Sequence, residues 1–139
     1  MTDKTDSRGQ KTVLIVDDQA LMRRTMREFL QDAFPDCNIL AVADGASALQ
    51  ACSSYRPVLV LMDKCLPDVD GIELTARLKI LYSDIQIIVV SNSSGEAYVQ
   101  HALAAGARAY VVKDDLVRAL IPAVAAALGI SAATDRGPS

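Results

Sequence analysis

Three acidic residues follow two apolar runs of the chain. Asp17 and Asp18 come directly after residues 13–16, and Asp63 comes directly after residues 58–62. Short apolar runs are typical of strands buried in a parallel sheet, where ligands bind beyond the carboxyl ends of the strands. At a separation of ~5 Å and an effective dielectric of ~20, each pair of like charges costs about 3 kcal/mol. We therefore expect a counter-cation, and Mg²⁺, which prefers oxygen ligands, is the natural candidate.

A hydroxyl group and an ammonium group are expected at the same edge of the sheet. Ser91 ends the fourth apolar run and Lys113 ends the fifth. A carboxylate can accept a phosphoryl group as an aspartyl phosphate, and this chemistry depends mainly on charge neutralisation. In this hypothesis Asp63 is the nucleophile, Asp17 and Asp18 hold Mg²⁺, and Ser91 and Lys113 bind phosphoryl oxygens. Each residue alone could be a helix cap, a turn residue or an exposed charge, but their shared position at strand ends favours a site.

Five apolar runs alternate with helical patterns along the chain. The expected strands are residues 12–16, 38–42, 58–62, 85–90 and 109–112. This alternation predicts an α/β fold with a parallel sheet covered by helices on both faces. Asp44 and Asp70, each followed by glycine, indicate helix starts, whereas Gly106 and Gly129 indicate helix ends. Pro122 lies inside the fifth helical pattern, for which we expect a start near residue 115 and a bend near the proline.

Apolar residues at helical spacing define the helix faces that should pack on the sheet. The expected inward residues are Leu21, Met22, Thr25, Met26, Phe29 and Leu30 in the first helix, Leu74, Leu78 and Leu81 in the third, Val99, Ala102, Leu103 and Ala105 in the fourth, and Val117, Leu120, Ile121, Val124 and Leu128 in the fifth. The fourth face consists mostly of small side chains. We expect this helix to bury little area and to shift easily.

Length and composition indicate one domain. A chain of 139 residues can bury a core of its own, and we expect the domain at residues 11–130 with flexible termini at 1–10 and 131–139. Although 51% of the residues are hydrophobic, no apolar run approaches the ~20 residues of a membrane span. The polar N-terminal residues lack the apolar core of a signal peptide, so a cytoplasmic location is expected.

Cysteine spacing and net charge narrow the range of partners. Cys37, Cys52 and Cys65 have no metal-ligand or redox spacing, so reduced thiols are expected. A formal net charge of −3 and a pI near 5.0 argue against direct binding of nucleic acid. Protein partners are the better hypothesis.

The order of these motifs resembles the receiver domain of two-component response regulators. The resemblance covers roughly residues 11–130 and rests on residues 13–18, 61–71, 89–91 and 106–113, which carry the acid pair, the Asp-x-x-Leu-Pro-x-x-Asp-Gly motif, the serine, the aromatic residue and the lysine. It implies a flavodoxin-like (βα)5 three-layer sandwich with strand order 2-1-3-4-5. The Lys113-Asp114 pair resembles the subgroup whose receivers precede a helix-turn-helix output domain, so the chain would be either a stand-alone regulator or a receiver cut from a longer one.

The resemblance also implies the partners of the site. Asp63 would be phosphorylated by a sensor histidine kinase or a histidine phosphotransfer protein. Mg²⁺ would be bound by Asp18, Asp63 and the backbone carbonyl of Cys65, with Asp17 reaching it through water. Ser91 and Lys113 would hold the phosphoryl oxygens.

A switch from the site to the surface is implied as well. Tyr110 would turn inward when Ser91 moves toward the phosphoryl group, and the surface of the fourth helix, fifth strand and fifth helix would change for a downstream partner or an output domain. Asn92 stands where the family usually has a very small residue, which should alter turnover of the acyl phosphate. Asp114 replaces the proline of many receivers, which allows a trans bond after the lysine.

Two other functions fit parts of this pattern. A phosphatase of the haloacid dehalogenase type also forms an aspartyl phosphate, but it expects a second Asp two positions after the nucleophile, where this chain has Cys65. A receiver-like interaction module that is never phosphorylated is the other alternative, and the complete set of Asp, Ser and Lys residues argues against it. We therefore expect a signalling protein rather than an enzyme, with self-catalysed phosphoryl transfer and dephosphorylation as its chemistry.

Overall fold

The computed structural model describes residues 10–132, which form one parallel sheet flanked by helices. The strands are β1 (Thr12–Val16), β2 (Asn38–Val42), β3 (Leu59–Asp63), β4 (Gln86–Ser91) and β5 (Ala109–Val112). The α-helices are α1 (Ala20–Ala33), α2 (Gly45–Tyr55), α3 (Gly71–Leu81), α4 (Glu96–Ala104) and α5 (Leu116–Leu128), with a 3-10 helix at Lys113–Asp115. The strand order β2-β1-β3-β4-β5 confirms the flavodoxin-like prediction. Residues 1–9 and 133–139 lie outside the described range, so the flexible termini stay a prediction.

The register of the sheet brings the polar strand ends to one edge. The strands β3 and β4 end one residue later than expected, so that Asp63 and Ser91 are themselves the last residues of their strands. Asp63 pairs with Val90, and Ser91 pairs with Val112, the residue before Lys113. Strand pairing therefore fixes the backbone of Asp63 and Ser91, and Lys113 follows directly after the last paired residue of β5.

Two apolar layers lie on opposite faces of the sheet. Successive residues of β1 point alternately into each, with Val13 and Ile15 in one layer and Leu14 and Val16 in the other. The first layer packs under α1 and α5, and the second packs under α2 and α3. Because both faces of the central strands are covered, their sequences are continuous apolar runs and do not alternate between apolar and polar residues.

The predicted helix signals are present in the structure. The Asp44 side chain accepts a hydrogen bond from the backbone N–H of Ser47 at 2.8 Å, and the Asp70 side chain accepts from the first amides of α3. Gly106 and Gly129 follow α4 and α5 with positive φ, which suits glycine. The helix α5 begins at Leu116, so Pro122 lies inside it as predicted, whereas the expected bend stays a prediction.

Four apolar side chains that were predicted to face the sheet are instead exposed. Leu21 is 72% exposed, Leu81 54%, Leu103 42% and Val117 76%. Each lies at the margin of its apolar stripe or near a helix end, where the stripe is wider than the surface that the sheet covers. On α4 only Ala102 is fully buried, so the prediction that this helix buries little area is correct in direction.

Two further features of the described residues bear on partners. The three cysteines are free thiols, and burial raises the pKa of Cys52 to about 11. Between residues 10 and 132, none of the helices is both long enough and apolar enough to span a membrane.

A substitution at Gly71 would test how tightly the loop after β3 is packed. A Cβ at this position would overlap the carbonyl oxygen of Asp63 and lie 2.9 Å from the Cα of Lys64, both backbone atoms. We expect Gly71→Ala to lower the free energy of unfolding by at least about 2 kcal/mol in urea denaturation, because the backbone must move. In Gly95→Ala the new Cβ would lie 3.5 Å from Tyr98, an ordinary contact, so this control should change stability by less than about 1 kcal/mol. Equal unfolding midpoints for the two variants would contradict this view of the loop.

Candidate functional site

Asp17 is fixed by the backbone at the end of β1. Its N–H donates to the carbonyl of Val42 at 3.1 Å, which extends the pairing with β2 by one residue. Its Oδ1 accepts from the backbone N–H of Gln19 at 2.9 Å, and its carbonyl accepts from the Arg23 guanidinium at 2.8 Å. The side chain is completely buried. Asp17 is therefore held rigidly at the start of α1.

Lys113 joins the two buried carboxylates. Its Nζ lies 3.0 Å from Oδ2 of Asp17 and 3.5 Å from Oδ1 of Asp63, and all three side chains are at most 7% exposed. The described residues contain no cis peptide bond, so the bond from Lys113 to Asp114 is trans and the ammonium still reaches both acids. Within residues 10–132, the Oδ2 of Asp17 accepts no hydrogen bond and has the Lys113 ammonium as its ion-pair partner. A buried ion pair is more stable when its remaining lone pairs also find partners, and here one lone pair has none.

The negative charge of the cluster is only partly neutralised. Burial raises the pKa of Asp63, and the charge of Asp17 raises it further, whereas Lys113 and a 3.3 Å hydrogen bond from the N–H of Cys65 lower it. The net direction is upward, so the single ammonium does not offset burial and repulsion. Asp17, the exposed Asp18 and Asp63 each offer a carboxylate oxygen, and these oxygens lie within 4.8 Å of one another. The cluster is therefore able to bind a metal ion.

A second group of contacts connects Ser91 to Tyr110. Ser91 is 2% exposed, and its Oγ accepts a hydrogen bond from the N–H of Ser93 at 3.0 Å. The half-buried Tyr110 donates its hydroxyl to the carbonyl of Ser93 at 2.7 Å. The sequence analysis did not identify Ser93, although a serine hydroxyl, here that of Ser91, often bonds to the backbone two residues further on. It links the two residues that were predicted to form the switch.

An open cavity of about 260 Å³ lies over these strand ends. It is lined by Asp18, Gln19, Asp63, Cys65, Ser91, Asn92, Ser93 and Lys113. A larger cavity of about 390 Å³ lies at the opposite end of β3 and β4, between Arg56, Tyr82 and Asp84 among others. Volume alone would favour that one, but it lacks a cluster of buried charges. The structure thus brings most of the predicted residues together around the smaller cavity. The two that do not line it are Asp17, which is buried and contacts the cavity-lining Lys113, and Tyr110, which contacts the cavity-lining Ser93.

Residues 13–125 match the family model of the response regulator receiver domain. The chain belongs to this family. Receiver domains take part in phosphorylation-dependent signalling of two-component systems.

Individual relatives agree with this membership. The chain is 35% identical over 113 residues to the transcriptional regulatory protein DegU of Brevibacillus brevis, covering 81% of this chain and 48% of DegU. It is 35% identical over 103 residues to the chemotaxis protein CheY of Halobacterium salinarum, covering 74% of this chain and 84% of CheY. The chain thus spans about half the length of DegU and most of CheY. The receiver domain of the response regulator NarL from Mycobacterium tuberculosis superposes with a TM-score of 0.78 and 27% identity, over 86% of this chain and 98% of that chain.

Removing the charge of Asp63 should stabilise the metal-free protein. The folded state raises the pKa of this carboxyl, so it binds the proton more tightly than the unfolded state does, and stability falls as pH rises from the ordinary carboxyl pKa through the raised one. In the presence of a chelator at pH 7, we expect Asp63→Asn to raise the melting temperature by roughly 3 to 6 °C, the equivalent of about 1 kcal/mol. The difference in melting temperature between the variant and the wild type should decrease as the pH is lowered toward the ordinary carboxyl pKa, because Asp63 then becomes protonated in the wild type. A lower melting temperature for the variant at pH 7 would show that Lys113 overcompensates the charge.

Proposed function

We propose that this chain is a phosphorylation-dependent switch in the cytoplasm, in which Asp63 accepts a phosphoryl group from a sensor histidine kinase or a histidine phosphotransfer protein. The observation that carries the proposal is the buried ammonium of Lys113 between Asp17 and Asp63 at the ends of neighbouring parallel strands. A structural ion pair needs one carboxylate, whereas a phosphorylation site needs a nucleophile, a metal ligand and a cation beside one another.

The chemical step follows from the positions of the side chains. A carboxylate oxygen of Asp63 attacks the phosphorus of a phosphohistidine, a P–O bond forms as the P–N bond breaks, and the imidazole nitrogen keeps the electron pair and is protonated by water. The N–H of Cys65 orients the attacking carboxylate. Lys113 offsets charge on the phosphoryl oxygens. The Oγ of Ser91 accepts from Ser93, so its own hydrogen is available to donate to a phosphoryl oxygen.

The donor atoms around Asp63 suit Mg²⁺. All of them are oxygen, and among the described residues one oxygen of Asp17 has the Lys113 ammonium as its partner but accepts no hydrogen bond. Asp18, Asp63 and the backbone carbonyl of Cys65 would hold the ion, with Asp17 acting through water. When bound, Mg²⁺ supplies positive charge for the transferring phosphoryl group. Hydrolysis of the acyl phosphate then restores the carboxylate, and Asn92, at the rim of the cavity, would influence how water enters.

The surface that would respond is that of α4, β5 and α5. Val89, Ala102 and Ala107 form the small core under α4, with Tyr110 packed against it. A phosphoryl group that draws the hydroxyl of Ser91 would disturb the contacts of Ser93 and, through its carbonyl, release the Tyr110 hydroxyl. Because so little apolar area holds α4, a modest change in contacts can shift its position.

The names of related proteins suggest what kind of partner would respond to the phosphorylated state. DegU is named as a transcriptional regulatory protein, and the NarL protein of Escherichia coli, 32% identical over 127 residues, is named as a nitrate/nitrite response regulator. For this chain we propose a downstream protein or an attached output domain as the reader of the phosphorylated state. The chain itself, with its net charge of −3, would not bind nucleic acid or membrane directly.

Mass spectrometry of the intact chain tests the proposal. After incubation with a small phosphodonor and Mg²⁺, the wild type should gain one phosphoryl group, and Asp63→Asn should gain none, because an amide is not a nucleophile for this transfer. Asp84→Asn, which removes an exposed carboxylate at the far end of β4, is the matched control and should label like the wild type. Undiminished labelling of Asp63→Asn would refute the assignment.

A further inference from the structure

The loop between β3 and α3, residues 64–70, is closed at its base. The N–H of Gly71 donates to the carbonyl of Lys64 at 2.7 Å, and Cys65 pairs with Asp70 as an isolated antiparallel bridge. Asp70 in turn caps α3. The base of the loop is thus fixed directly behind Asp63, whereas its outer part, residues 66–69, extends toward α2.

The carboxylate of Asp68 attaches this outer part to α2. Its Oδ1 accepts from the N–H of Gly45 at 2.8 Å, and its Oδ2 accepts from the N–H of Ala46 at 3.0 Å. These two hydrogen bonds, that from Gly45 first, lower the pKa of Asp68, so the group is ionised at neutral pH. The interaction joins residues 22 and 23 positions apart in the chain.

The helix α2 depends on two aspartates for its N-terminal amides. Asp44 accepts from the N–H of Ser47 at 2.8 Å with its side chain and from the N–H of Ala48 at 3.0 Å with its carbonyl. The bond from Ala48 is the first regular bond of the helix, so the amides of Gly45, Ala46 and Ser47 need partners outside it. Asp44 binds one of these three amides from the N-cap position, and Asp68 binds the other two from the loop.

Close packing supports the same connection. A Cβ added to Gly45 would lie 2.5 Å from Cγ1 of Val69 and 3.2 Å from Oδ1 of Asp68, so the loop contacts the helix backbone itself. Val69 also packs against the apolar layer under α2 and α3. The loop is therefore seated on α2 by one bidentate carboxylate and one apolar side chain.

We propose that Asp68 is a positioning residue of the phosphorylation site, which holds the loop on α2 and thereby fixes Cys65 beside Asp63. The inference rests on the proposed function, because the Cys65 carbonyl is part of the proposed metal site. Cys65 is also the residue whose N–H contacts the carboxylate of Asp63. Asp68 itself touches neither the reacting atoms nor the metal ligands of the cluster.

Two variants separate positioning from helix capping. Asp68→Ala removes the two hydrogen bonds that join loop and helix, whereas Asp44→Ala weakens the same helix end without touching the loop. In calorimetric titrations with Mg²⁺, we expect Asp68→Ala to raise the dissociation constant about tenfold, the scale typical of residues that support metal ligands. Asp44→Ala should leave it within about twofold of wild type, and Asp68→Asn, which keeps one acceptor oxygen, should fall between.

Hydrogen exchange in the metal-free protein gives a second readout that needs no bound ion. The Cys65 amide should exchange about tenfold faster in Asp68→Ala than in Asp44→Ala, because its hydrogen bond to Asp63 loosens. Equal exchange rates and equal Mg²⁺ affinities in the two variants would overturn the proposal and make Asp68 a helix cap alone. If the wild type itself binds no Mg²⁺, the metal part of the proposed function fails, and the exchange rates still decide the role of Asp68.

Discussion

The charges at the carboxyl end of the sheet do not balance, and the rest of the site depends on this imbalance. Parallel pairing places Asp17 and Asp63 at the ends of adjacent strands, and Asp18 follows at the rim. In the part of the chain that the structure describes, Lys113 contributes the one ammonium that pairs with them, 3.0 Å from Asp17 and 3.5 Å from Asp63. The carboxylate oxygens of the three acids lie within 4.8 Å of one another, and like charges at that distance repel by several kcal/mol at an effective dielectric of ~20. The fold tolerates the cluster because backbone hydrogen bonds hold each strand end, and the excess negative charge favours a divalent cation.

The fold could be predicted largely because its signals are local. Buried parallel strands leave continuous apolar runs, and the aspartates before Gly45 and Gly71 cap helices, as their sequence context indicated. The ends of strands were harder to predict, because a polar residue after an apolar run gives no sign that strand pairing continues. Asp63 and Ser91 were therefore expected just after their strands, whereas the structure has them as the last strand residues. The exposure of Leu21 was also unpredictable, because an apolar stripe does not show how much of it the sheet covers.

The residue types of the site could be predicted from the sequence, but their contacts could not. That Lys113 lies nearer to Asp17 than to Asp63 depends on the reach of one side chain across the sheet. Arg23 donates to the Asp17 carbonyl from α1, and Asp68 binds the first amides of α2 from a distant loop. Contacts between elements far apart in the chain have no periodic signal, so the supporting residues emerge only from the structure. These residues set the geometry in which the predicted ones act.

Thermal unfolding during a Mg²⁺ titration tests the charge imbalance most directly. If the cluster takes up the ion only when folded, the wild type should gain about 2.7 kcal/mol of stability at a Mg²⁺ concentration 100-fold above the dissociation constant. Asp18→Asn keeps the fold and the buried pair with Lys113 but removes the exposed carboxylate, so it should lose most of this gain. A wild-type melting temperature that does not change up to millimolar Mg²⁺, or an equal gain in Asp18→Asn, would contradict the account.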